Sequence, residues 1–139
     1  MSFPELALVE EDLAFLDDWE DRYRYLIDLG KGLSPFPDHA RTNEQLVRGC
    51  QSQVWLLADL DDAGRLRLQL DSDALIVRGL TALVGSAYHG RTPAEALAFD
   101  IEALFDRLQL LRHLSATRGN GLRAMVGRIR EHAASLQVH

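Results

Sequence analysis

The hydrophobic period turns from helical to strand-like in one stretch of this chain, and that stretch sets the fold class. From Gln53 the sequence runs QVWLLADL, nearly continuous in apolar residues. RLRLQL over 65–70 then alternates strictly, with Leu66, Leu68 and Leu70 on one face. DDAG between them is turn chemistry, so the pair reads as a β-hairpin. A short strand around Gln45–Arg48 is expected to join it. Within the hairpin, Trp55 is expected to be a core anchor, because an aromatic in an apolar run buries a large area.

The remaining segments carry helical spacing. Glu10 to Leu33 reads as helix with a break near Asp17-Asp18, and Trp19, Tyr23, Leu26, Ile27 and Gly30 recur on its apolar face. GKGLSPFPDHART, with two Gly and two Pro, must be loop. Ser72 or Asp73 is placed to cap a helix whose apolar face is Ile76, Leu80, Leu83, Val84 and Ala87. Thr92-Pro93 is a second start signal. A last stripe comprises Leu122, Met125, Val126, Ile129 and Ala133. The expected architecture is α+β: a small antiparallel sheet of about three strands packed against several α-helices.

Bulk properties narrow the function classes. A length of 139 residues fits one domain spanning 1–139. No apolar run approaches the ~20 residues of a membrane span. The start, MSFPELALVEEDLAF, carries no basic leader or small-residue cleavage site. A single cysteine makes no internal disulfide, which points to a reducing, cytoplasmic setting. The net charge of −6 argues against nucleic-acid binding, which needs clustered Lys and Arg. Eight acids precede Arg22, whereas five arginines (112, 118, 123, 128 and 130) face only Glu131 from Arg112 onward. Two readings follow: solvated helix faces, or a docking surface for a charged protein.

The five histidines (39, 89, 113, 132 and 139) fall in no H-x-x-x-H pattern, and one Cys builds no thiolate zinc site. Neither phosphate-cradling glycine motif is present. His113 and His89 remain open as distant bases for a cysteine nucleophile. Attention therefore falls on Cys50, in VRGCQSQVWL. It is either a small core hydrophobe or a reactive thiol on a loop. Gly49 before it gives the backbone freedom to bend. Gln51, Ser52 and Gln53 after it are poor core neighbours but good hydrogen-bond partners. Arg48 is near enough to favour the thiolate.

VRGCQSQVWL is followed by LDSDALIVRGLTALV, LTALVGSAYHGRTPAEALAFD and HLSATRGNGLRAMVGRIR. In that order, from about Trp19 to the last helix, the set resembles the SufE family of cysteine desulfuration proteins. The core of the likeness is G-C-x-S-x-V-W plus D-S-D-A-x-I-V-x-G-L. CQSQVW is closer to SufE than to its paralogue CsdE. Gln45 stands where the family often has Asn, and Arg48 where it commonly has Pro or Gln.

The resemblance implies a SufE/IscU-like fold and a sulfur acceptor for iron–sulfur cluster assembly. Cys50 would take the outer sulfur of a persulfide on a SufS-type or CsdA-type cysteine desulfurase, stimulate that enzyme, and pass the sulfur to a SufBCD-type scaffold. The desulfurase uses pyridoxal phosphate; the acceptor itself needs no cofactor and no metal. Supporting roles are implied for Gly49, Gln51, Ser52, Asp73 and Arg118, in a monomer or weak homodimer. A plain helix cap at Asp73 and a surface salt bridge at Arg118 are the alternatives. The rival functions are a small cysteine hydrolase or thiol peroxidase, and an adaptor with an idle thiol. If sulfur is carried, the loop is expected to shelter Cys50 against Val54, Trp55 and Leu56 and to extend it toward a partner.

Overall fold

The hairpin is where the change of period puts it. The structure, a computed structural model, describes residues 3–137. Strands β1 (Val54–Leu60) and β2 (Leu66–Ser72) pair antiparallel, with Val54 opposite Ser72, Leu56 opposite Leu70 and Leu60 opposite Leu66. The turn forms because Asp61 Oδ1 accepts from the N–H groups of Ala63 and Arg65, both at 2.9 Å. Gly64 closes it at φ +76°, a conformation that favours glycine.

Alternation then sorts the two faces. Val54, Leu56, Leu66, Leu68 and Leu70 turn inward and are essentially fully buried. Each contributes about 1.5–3 kcal/mol by leaving water. Trp55 on the outer face is also buried, against Phe36 and Ala40 from the 32–41 loop. Asp59 and Arg67 pair across the exposed end.

A two-stranded sheet needs a cover to persist in water, and helices provide it. These are α1 (Leu6–Phe15), α2 (Trp19–Lys31), α3 (Leu75–Tyr88), α4 (Pro93–Ala98), α5 (Ile101–Leu108) and α6 (Ala116–Leu136). Short 3-10 turns lie at Asp38–Ala40 and Leu111–His113. α3 packs on β2 and α6 on β1, while α2 lies across α3. That crossing is a backbone contact: a Cβ on Gly79 would come within 2.4 Å of the Leu26 carbonyl oxygen. The break expected near Asp17-Asp18 separates α1 from α2, and the Asp18 side chain caps α2. Thr92 caps α4 in a reciprocal pair with Glu95. The stripe Leu122, Met125, Val126, Ile129 and Ala133 is buried on α6 as expected.

Two expectations need correction. The sheet has two strands rather than about three. Val47 N–H donates to the Val54 carbonyl and Leu56 N–H to that of Gln45, yet the segment forms only a bridge between Leu46 and Trp55. It is pinched between a turn at Thr42–Leu46 and the bend that begins at Arg48, so no strand develops. Nor does Ser72 or Asp73 cap α3 in the usual way. The cap position is Ala74, whose N–H reaches Ser72 Oγ at 3.3 Å, while Asp73 is turned to Gln53.

The outer edge of β2 is covered by residues 89–91. Leu66 N–H donates to the Arg91 carbonyl, Gly90 N–H to that of Leu66, and Leu68 N–H to His89 Nδ1 at 3.1 Å. With the Gln45–Val47 segment bonded to the start of β1 as well, fewer edge groups are left for another strand to pair with. His89 is half-buried, and burial holds its pKa below the usual 6.5 despite the opposing charge of Asp61.

This arrangement generates two predictions. Trp55→Ala should cost roughly 3–5 kcal/mol of unfolding free energy in urea; an unchanged midpoint would mean the outer-face cluster does not hold the hairpin. His89 favours the neutral form when folded, so its contribution is present above about pH 6.5 and lost as pH falls through its lower folded pKa. Wild type should therefore lose more of its urea midpoint than His89→Gln between about pH 7.5 and about pH 5. Equal losses would place the acid sensitivity elsewhere, for instance at His132, whose pKa burial also lowers.

Candidate functional site

Cys50 sits at the middle of a six-residue excursion, 48–53, between two anchored ends. One anchor is the Val47 N–H to Val54 carbonyl bond at 2.8 Å. The other is a reciprocal pair. Gln53 N–H donates to Asp73 Oδ1 at 3.1 Å, and Asp73 N–H returns to the Gln53 carbonyl at 3.3 Å. Ser72 Oγ donates to that same carbonyl at 2.7 Å. Asp73 thus braces the foot of the loop and does not touch the thiol.

Within the loop Gly49 takes φ +92°, a left-handed conformation that side chains rarely adopt. A Cβ there would also press on Ala124 of α6 at 3.2 Å. The bend turns Cys50 onto α6, where its thiol donates to the Gly121 carbonyl at 3.4 Å. The thiol packs close to the helix here: a Cβ at Gly121 would stand in ordinary van der Waals contact with Sγ, at 3.5 Å.

The sulfur borders a cavity of about 90 Å³. Val77 and Leu80 of α3, with Leu122 and Met125 of α6, supply its apolar wall. Gln51, Ser52, Ser115, Thr117 and Arg118 supply polar groups. Of the expected site residues, Cys50, Gln51, Ser52 and Arg118 therefore meet at one place, with Gly49 as the bend and Asp73 as the brace. Arg118 lies in the first turn of α6, exposed, and makes no salt bridge among the described residues.

The apolar wall differs from the one expected. Of Val54, Trp55 and Leu56, none lines the cavity, and Trp55 belongs to the outer-face cluster. Arg48 faces a separate groove with Ala124, Gly127 and Arg128. Burial alone sets the thiol, pushing its pKa above the ordinary value, so the resting sulfur is protonated at neutral pH. His113 stacks on Trp19 with ring centroids 4.0 Å apart and borders a neighbouring apolar groove, not the cavity. His139 lies outside the described residues. Among the described residues no group of three or more His, Cys, Asp or Glu side chains could hold a metal.

Sequence reasoning missed Ser115, Thr117, Gly121, Val77 and Met125 as cavity residues. Ser115 had a readable signal, because its side chain caps α6 by accepting from Arg118 N–H.

Residues 7–133 match the sequence profile of SufE, described as an Fe-S metabolism associated domain. The chain is 46% identical over 132 residues to an uncharacterized SufE-like protein of Rhizobium meliloti (strain 1021), covering 92% of this chain and 94% of that one. It is 48% identical over 131 residues to an uncharacterized SufE-like protein of Rhizobium etli, covering 92% and 88%. The solution structure of a hypothetical protein from Thermus thermophilus shares the fold, with a TM-score of 0.77 over 98% of both chains at 22% identity. This chain belongs to the SufE family, which ties it to iron–sulfur metabolism and bears out the resemblance read from the sequence.

The brace generates a prediction. If the sheltered loop is favoured by about 1–3 kcal/mol, iodoacetamide should modify Cys50 about 5–150-fold more slowly than in the urea-unfolded chain. Asp73→Ala removes one loop-anchoring hydrogen bond and should speed the reaction about 2–10-fold. Modification of the folded wild type at the unfolded rate would show the thiol to be open.

Proposed function

We propose that this protein accepts sulfur from a persulfide held by a pyridoxal-phosphate-dependent cysteine desulfurase of the SufS or CsdA type. The observation that carries the reading is the thiol itself: tethered at both ends, turned inward by Gly49, and beside a cavity with room for an added sulfur. The Cys50 thiolate attacks the outer sulfur of the donor persulfide. A bond forms between Cys50 Sγ and that sulfur, the donor's S–S bond breaks, and the electron pair leaves on the donor cysteine as thiolate. Cys50 then carries –S–SH toward a SufBCD-type scaffold in the cytoplasm, the acceptor acting as a monomer or weak homodimer without a cofactor of its own.

Shelter and reactivity are reconciled by two loop states. Against α6 the thiol is neutral and unreactive, which also shields a bound persulfide from stray thiols. Extension into a polar partner site would remove the burial that raises its pKa, and the thiolate would form where it is needed. The partner must bind the extended state more tightly by at least the sheltering free energy. Cavity groups Ser115, Thr117 and Arg118 are placed to meet a persulfide anion when the loop returns. Among the described residues the cavity lining contains no histidine or carboxylate, so no general base stands beside the thiol as hydrolysis would require.

The test combines the protein with a cysteine desulfurase and free cysteine and then weighs the intact chain. A gain of one sulfur atom, localised to Cys50 and absent in Cys50→Ser, is expected, with stimulation of cysteine turnover that the variant lacks. Helical circular dichroism should be unchanged in Cys50→Ser. Binding without mass gain would make the protein an adaptor. Turnover of ester or peroxide substrates would make it a hydrolase or peroxidase.

A further inference from the structure

On the far side of the hairpin three cations from three elements line one small cavity. Asp71 on the outer face of β2 is buried, and its two oxygens are divided between two guanidinium groups. Arg78 Nε of α3 donates to Asp71 Oδ1 at 2.9 Å, and Arg41 Nη1 donates to Oδ2. Arg78 Nη2 also reaches the Ser72 carbonyl at 3.2 Å. Arg41 packs over the rings of Phe36 and Trp55. Lys31, the only lysine in the chain, ends α2 at the rim.

These residues, with Gly30, Ser34 and Phe36, surround a space of about 120 Å³. It shares no lining residue with the thiol cavity. Its charge does not balance. Asp71 neutralises one of the three cations, and Asp38, fully exposed, touches Arg41 from outside. Arg41 Nη2 and Arg78 Nη1 have no hydrogen-bond partner among the described residues. In a protein of net charge −6, a polar cavity with surplus positive charge is a local exception.

We propose that this cavity binds a tetrahedral oxyanion, phosphate or sulfate. Two guanidinium donors held in fixed directions by Asp71, plus an ammonium from a third element, suit an acceptor with oxygens on several sides. A bound anion links α2, the 32–41 loop and α3, and so secures the loop that covers Trp55. The inference is independent of sulfur transfer.

The experiment titrates isotope-labelled protein with inorganic phosphate at constant ionic strength and follows backbone amides and Arg Nε–H groups by NMR. Saturable shifts confined to residues 30–41 and 71–78, including Arg41 and Arg78 Nε–H, are expected. Lys31→Gln removes an exposed charge, so it should fold as wild type does and bind about 2–5-fold more weakly. Phosphoethanolamine, added separately, tells a free ion from a phosphate carried on a larger molecule. Linear, unsaturated shifts, or shifts spread over Arg65, Arg112 and Arg118, would overturn the site, as would undiminished binding by Lys31→Gln.

Discussion

The structure depends on one constraint: a single hairpin with an apolar inner face that cannot persist uncovered. Leu66, Leu68 and Leu70 face inward because a strand alternates every residue, and α3 and α6 follow because that face must leave water. Covering β1 with α6 places Gly121 and Ala124 under the segment that leads into the strand. The thiol loop has nowhere else to rest. Its position against α6 is therefore a by-product of how the sheet is covered.

Charge has a smaller part in this than the sequence invites. Among the described residues, the acid-rich start pairs only at Glu10 with Arg107 and at Glu20 and Asp21 with Arg24, and the arginine-rich end only at Arg123 with Glu102 and Arg128 with Glu131. Most are well exposed, and exposed pairs contribute little. The buried Asp71 differs, because its two oxygens each hold a guanidinium, and losing both would leave an unpaired charge inside the protein. Cys50 is governed by neither kind of pair. Its thiol answers to burial.

What the sequence made legible was local. The hairpin, its turn, the break at Asp17-Asp18 and the Thr92 cap are each written within a few adjacent residues. Cys50 with its neighbours could be singled out because glycine, cysteine and polar residues at a strand boundary already form an unusual local set. The Asp73 role was legible only through the family resemblance, since its partner Gln53 lies across the hairpin and local chemistry favours a helix cap there. The apolar wall was misplaced for the same reason. Val54 and Leu56 are near Cys50 in sequence, whereas Val77 and Met125 reach it only through the packing of α3 and α6. The third strand failed because pairing residues suffice for a bridge, while a strand also needs extended neighbours on both sides.

The two anchors of the thiol loop fix a leash length. Three residue steps separate Cys50 from Val47, and three separate it from Gln53. A fully extended chain covers at most about 3.3–3.6 Å per residue, so the Cys50 backbone can travel roughly 10 Å from either anchor while both hold. For the proposed transfer this limits the donor: its sulfur must wait near the mouth of its own site, because a cysteine at the foot of a deep, narrow channel is beyond the tether. Such an acceptor selects its partners by depth as well as by surface.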